Sequence, residues 1–359
     1  MNRPVTGMNQ LETNNQLETL WFTRCPVPTA SGIALQNGWL EGEFAPDGIA
    51  VTCLRNSADR AIRESHFTHS LGNSFRQGGN APAIYARSEG ADTVLIGLHW
   101  MPQYQALLTL PGSGIETLAD LKGKRLAVPV RVNDRIDFWR AISLQGYTNA
   151  LRLAGLSLAD VQLTEVRIEA SYVDRTPPSA AAKAIDTPRL IRQHTPEMFA
   201  LIRGEVDVMF GYSVWGLELR ELLGAREIVN LNAQADPAAS INNGQPKTLT
   251  VSGALLRERP DLVDRYVLQL VKGARWARQN AAQARHMIAA ETGTAEYWLD
   301  EGTAPDLADK LEMSLSEPLF EALEVRKNFL LEHGFIRNDF SIRDWVDSGP
   351  LQRAIAALG

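Results

Sequence analysis

Apolar and polar positions along this chain alternate in two rhythms. Short β-branched and aromatic runs stand at 19–24, 48–55, 93–99, 105–110, 126–130, 162–169, 206–210, 227–231 and 247–256, and predict strands. In the second run Ile49, Val51 and Cys53 share one face. Helical spacing falls between the strands. Thr29 or Ser31 can cap a helix to about residue 37, and others are expected after Asn80, over 136–154 and over 195–203. The clearest stripe is Val263, Tyr266, Val267, Leu270, Val271, Ala274 and Trp276, within one long helix or a helix pair over 260–290. Residues 66–70 read as a short strand or turn, and 227–231 as the return toward the first lobe. The repeated βα order with a mid-chain crossing predicts two α/β lobes around a cleft. Residues 18–108 and 233–359 would form lobe I and 109–232 lobe II. A polar tail over 1–17, rich in Asn, Gln, Glu and Thr, reads as disordered, and 172–187 as a long loop.

Composition narrows the function class. The chain has 359 residues, 45% hydrophobic and 22% charged, enough for two ordinary domains. Its net charge of −6 argues against non-specific binding to nucleic acid or an anionic membrane. No apolar run reaches the ~18 residues that a membrane span needs. The start, MNRPVTGMNQLETNNQLETL, lacks the apolar core of a signal peptide, so a cytoplasmic location is expected, or a periplasmic one if a leader has been removed. No Walker loop, GxGxxG, GxSxG or HExxH occurs, and no cofactor is called for.

The chemistry concentrates between residues 21 and 79. Cys25 follows the first strand, and Pro26 and Pro28 stop the ladder because they cannot donate to it. Cys25 thus lies on a strand-to-helix turn, where open α/β sheets bind ligands. Arg24 and the coming helix N-terminus both favour a thiolate. Cys53, by contrast, alternates with apolar residues and reads as a buried filler. His66 and His69 spell H-x-x-H, but no further ligand completes a metal set, and along a strand the two rings would face opposite ways, so no metal is expected. Arg76 precedes Gly78-Gly79 by one residue. A glycine pair ahead of a helix lets the backbone approach an anion, and a guanidinium can grip two oxygens at once; the pair can equally be only the turn that Asn80 needs. Arg131, with Asn133 and Arg135, follows a strand and precedes a helix, a second candidate anion site across the cleft. Trp100, Trp139 and Trp215 are candidates for an aromatic wall.

The stretches RCPVP, HFTHSLGNSFRQGG, ETLADLKGKRLAVPV, GEVDVMFGYSVWGLELR and RPDLVDRYVLQLVKGARWAR resemble the aryl sulfinate desulfinases of dibenzothiophene desulfurisation. More loosely, they resemble the solute-binding proteins for sulfonates, nitrate and taurine. The resemblance covers nearly the whole chain after residue 18. It implies a two-lobed periplasmic-binding-protein-like fold of type II, with the ligand, a small organic sulfur oxyanion, between the lobes. It implies catalysis by Cys25, His66 and Arg76, with Arg76 and Gly79 on the substrate; Gly78, Pro26, Arg131 and Trp215 are the further substrate-binding candidates of this chain. The reaction implied is hydrolysis of a C–S bond with release of sulfite. Cys25 would either attack sulfur or protonate the ring carbon, and His66 would move its proton. The alternative is a non-catalytic binding protein working with a transporter.

Overall fold

The computed structural model describes residues 17–174 and 194–359, and of Arg24 the backbone only. The predicted tail, apart from Leu17, and most of the predicted loop at 172–187 lie outside the described residues.

One lobe is built on a five-stranded sheet in the order β2-β1-β3-β10-β4. β1 (Thr19–Arg24), β2 (Ala50–Cys53) and β3 (Ser74–Gly78) run parallel. β10 (Lys247–Ser252) returns antiparallel between β3 and β4 (Thr93–His99). The long helix Pro260–Gln279 packs on this sheet with the predicted stripe inward. Val263, Tyr266, Val267, Leu270, Val271 and Ala274 are all buried, and the Tyr266 ring stacks on Phe75 at 3.7 Å. Each such side chain contributes about 1.5–3 kcal/mol by leaving water. Trp276 stays at the stripe's edge against Trp39.

The second lobe carries β5 (Gln105–Thr109) between β8 (Met209–Tyr212) and β9 (Arg226–Asn230), and the parallel pair β6 (Arg125–Arg131) and β7 (Gln162–Ile168). A bridge between Leu126 and Val208 joins the two parts. β5 pairs wholly inside this lobe, so the chain crosses just before Gln105, a few residues earlier than the pattern implied. β9 also stays in this lobe, paired with β5, and the return comes after it.

Where the chain crosses back, buried amides tie the strands together. Gln105 Nε2 donates to Ser240 O at 2.8 Å and to Gln245 Oε1 at 2.6 Å. Asn242 Nδ2 donates to Gln105 Oε1 at 3.0 Å and to Ile142 O at 3.1 Å. In a buried crossing polar groups need such partners, so the network fixes the path of the returning chain.

The helices that position the site are α1 (Ala30–Gln36), α2 (Trp39–Phe44), α3 (Arg60–Thr68), α4 (Asn80–Ser88) and α5 (Phe138–Leu153). α3 corrects the expected strand or turn at 66–70. Asp59 caps it by accepting from Ala61 N at 2.8 Å, and Arg60 pairs with Glu64 one turn on. It ends at His69, whose φ of 49° is left-handed.

Candidate active site

Cys25 sits in the turn between β1 and α1. Val27 N donates to Cys25 O at 2.8 Å across Pro26, whose ring restricts φ to what such a turn needs. Thr29 Oγ1 then accepts from Gly32 N at 3.1 Å, and Gln77 Oε1 from Ser31 N at 2.9 Å. The start of α1 is therefore pinned to β3, and Cys25 with it. A Cβ placed on Gly78 would lie 2.5 Å from the Cys25 sulfur, so the thiol occupies the space that any other residue would fill. Gly78 is not merely a turn glycine. It makes the thiol's seat.

Arg76 lies two residues upstream on the same strand and is buried. Its Nη1 donates to Gly79 O at 2.7 Å, while Nε has no partner among the described residues. Burial pulls the guanidinium below its usual pKa, and Cys25 and Tyr172 act against that shift. Gly79 caps α4, but the next two donors are already used: Asn80 N donates to Asn243 O at 2.7 Å and Ala81 N to Asn243 Oδ1 at 2.8 Å. Asn243 comes from the returning crossover, and a Cβ on Gly79 would overlap its amide.

His66 is buried on α3 and joins the cluster through Tyr172. The two rings lie 4.9 Å apart, and the Tyr172 phenol interacts electrostatically with Arg76. His69 faces Arg76 as well. Burial, with that cation beside it, holds His69 at about 3, so its imidazole is neutral. Because both histidines belong to a helix and its cap, the opposite-face argument from a strand does not apply. Among the described residues no three His, Cys, Asp or Glu side chains gather around a common point.

Two further sequence candidates are engaged elsewhere. Arg131 Nε is 2.7 Å from Asp134 and its Nη2 donates to Ala170 O at 2.8 Å. Asn133 donates to Glu169 O and Arg135 pairs with Glu64 at 3.1 Å, so this turn is a structural knot and not an open anion site. Trp215 is buried, and its Nε1 donates to Thr292 O at 3.1 Å, in the helix Ala281–Thr292. Cys53 is buried, as its alternation implied.

Three residues near the thiol were not singled out in the sequence. Arg55 follows β2 as Cys25 follows β1, interacts electrostatically with Cys25, and stands 5.4 Å from the Tyr172 ring centre. Lys247 is fully buried at the start of β10 and also acts on Cys25. Asn243 completes the wall beside Gly79. The position of Arg55 at the carboxyl end of a parallel strand was a usable signal. Nothing in the run KTLTVS marked Lys247, since a lysine opening a strand is ordinarily at an exposed edge.

Arg55, Arg76 and Lys247 thus all act electrostatically on one thiol, which lies against a glycine backbone on the strand of Arg76. Such a site attracts a small anion.

No protein-family model matches the chain. Over 351 residues it is 26% identical to 2'-hydroxybiphenyl-2-sulfinate desulfinase of Rhodococcus erythropolis, covering 92% of this chain and 91% of that one. Its structure is similar to the crystal structure of the desulfurization enzyme DSZB, with a TM-score of 0.74, 25% identity, and coverage of 95% of this chain and 100% of the other. The periplasmic aliphatic sulphonate binding protein of Escherichia coli shares the fold, with a TM-score of 0.61 at 17% identity over 92% of each chain. The two-lobed binding-protein fold expected from the resemblance is the fold observed.

Proposed function

We propose that this chain is a hydrolytic desulfinase that cleaves the C–S bond of an organic, aromatic sulfinate and releases hydrogen sulfite. The observation that supports it most is the seat made by Gly78, which holds a thiol against the strand carrying Arg76. A binding site for an anion needs the guanidinium but has no use for a thiol in that place. The likeness to a sulfinate desulfinase along nearly the whole chain points the same way.

Arg76 and the Gly79 N–H would hold the sulfinate oxygens. Of the two routes for Cys25 we take attack on sulfur, in which Arg55 and Arg76, both acting electrostatically on Cys25, would balance the charge of the adduct. The thiolate attacks the sulfinate sulfur, the C–S bond breaks, and the ring carbon takes a proton from His66, leaving a thiosulfonate-type adduct on Cys25. Water then attacks the adduct sulfur, releasing hydrogen sulfite, the thiolate and one proton, which restores His66. In sum, ArSO2− and H2O become ArH and HSO3−, with no external oxidant or reductant.

The test is sulfite release from a panel of aryl and alkyl sulfinates, wild type beside Cys25→Ser. Sulfite from the wild type alone, with ligand affinity kept in the variant, is expected. Sulfite from Cys25→Ser would overturn the mechanism. No sulfite from any sulfinate, together with a thermal shift from a sulfonate, would make the chain a binding protein.

A further inference from the structure

Three strands bring one position each to the same level on the thiol's face of the five-stranded sheet. The parallel register sets Arg24 beside Gln77, so Cys25 comes beside Gly78, and the antiparallel register sets Thr248 of β10 opposite Gly78 on its other side. Residues paired in this way point to the same face. The Cys25 sulfur lies 2.5 Å from where a Gly78 Cβ would stand, so the thiol leans over the glycine from the β1 side. Thr248 looks at the same spot from the β10 side, one strand spacing of about 4.8 Å from Gly78. Arg76 reaches the spot along β3. It shares the face of Gly78 two residues upstream, and its bond from Nη1 to Gly79 O carries the guanidinium past the glycine.

Thr248 is fully buried, yet its Oγ1 has no hydrogen-bond partner among the described residues. A buried hydroxyl is ordinarily paired, because an unpaired one has lost its water and gained nothing in exchange. The Nε of Arg76 is unpartnered as well. Two unpaired donors therefore converge on the glycine that seats the thiol. Together they suit an anion with two oxygens on one centre. The neighbours of Thr248 along β10 do not share this setting. Lys247 and Leu249 alternate to the opposite face of the sheet. Thr250 is on the same face, and its hydroxyl is also unpartnered, but it stands opposite Arg76, one level back from the thiol, and the guanidinium has run on from that level toward Gly79.

We propose that Thr248 is a further donor of the anion site, its hydroxyl giving a hydrogen bond to one oxygen of a bound sulfinate beside Arg76 and the Gly79 N–H. The glycine at 78 then has two uses: it seats the thiol, and it keeps the β3 strand from screening the β10 hydroxyl. The choice of a sulfinate as ligand rests on the desulfinase reading; the place of the hydroxyl in the anion site does not.

The experiment uses the Cys25→Ser protein, so that ligand is bound without turnover. Benzenesulfinate is titrated calorimetrically into it and into the same protein carrying Thr248→Val, Thr248→Ser or Thr250→Val, and each is unfolded in urea. Thr248→Val is expected to weaken binding about tenfold to a hundredfold, the range for a hydrogen bond to a charged group. Its urea midpoint is expected to stay or rise, because a hydroxyl without a partner is removed from the interior. Thr248→Ser, which keeps the hydroxyl, and Thr250→Val are expected to stay within about threefold in affinity. Unchanged affinity in Thr248→Val overturns the proposal, and so does an equal loss in Thr250→Val or in Thr248→Ser. A Thr248→Val protein with a lower urea midpoint, or one that does not fold, overturns it too, since the hydroxyl would then have a structural partner. If the Cys25→Ser protein binds sulfite or benzenesulfonate but not benzenesulfinate, the desulfinase reading fails, and the same variants titrated with that anion decide the hydroxyl. If it binds none of the three, both fail.

Discussion

At the residue scale the thiol's position depends on an absence, the missing side chain at Gly78. Gly78→Ala would place a methyl 2.5 Å from the Cys25 sulfur and 2.9 Å from its Cβ. Either the β1–α1 turn or β3 must then shift. Overpacking of this kind costs about 1–3 kcal/mol, and a displaced reacting group about 10²-fold in rate. The expected outcome is a modestly lower urea midpoint with a much larger loss of kcat, read by denaturation and by sulfite release. Cys25, Arg76 and the glycines were legible because strand, proline and helix signals fall in line around them. Arg131 misled because a basic residue before a helix resembles an anion site. Its partner Asp134 was in plain view three residues on, but the turn that folds the two together is a tertiary fact. Lys247 was illegible for a related reason: burial of a strand's first residue depends on segments brought to it from elsewhere in the chain, among them His99 of β4 across the ladder.

At the scale of elements, α3 does two jobs. It carries His66 to the cluster, and it reaches across the cleft to the second lobe. Arg60 pairs with Asp174, Arg63 Nε donates to Val173 O at 2.9 Å, and Glu64 meets Arg135 at 3.1 Å. Glu64 links Arg60 and Arg135, one from each lobe, and these cations hold its carboxyl below the usual range. Glu64→Gln is expected to cost less than about 1 kcal/mol in stability, as exposed ion pairs do. Ligand dissociation should rise by a few-fold, measured by stopped flow, because the lobes are held together less firmly. α3 was readable in the sequence through the Asp59 cap and the Arg60–Glu64 spacing. The reading missed it because His66-Phe67-Thr68, taken alone, has strand-like composition. A three-residue window does not distinguish the end of a helix from a strand.

At the scale of the whole molecule, buried imidazoles set the response to acid. His69 and His99 are held at about 3, and His194 at about 4, in each case first by burial. Each is depressed from an ordinary 6.5, so between pH 6.5 and these values the unfolded chain binds a proton that the folded one refuses. Stability therefore rises with pH across that window, and what these groups contribute is complete above 6.5 and lost as pH falls toward 3. Glu197, raised by burial to about 7, works in the opposite sense between 4.5 and 7. His99→Gln is expected to flatten the slope of unfolding free energy against pH below 6.5 by up to one proton, about 1.4 kcal/mol per pH unit, measured by urea titration at several pH values. Two lobes and a cleft were legible at this scale because strand and helix rhythms persist along the chain. The crossing point was not, since β5 declares its lobe only by its pairing with β8 and β9. The contacts of α3 with the far lobe carry one more consequence, for traffic. A parting of the lobes on this side breaks those pairs, so the fraction of time they are parted would set a ceiling on entry and exit by that route. Exposed charge pairs loosen as ionic strength rises. Added salt then has two opposite effects on an arriving anion: it weakens the pull of the cations inside, and it lifts the latch outside.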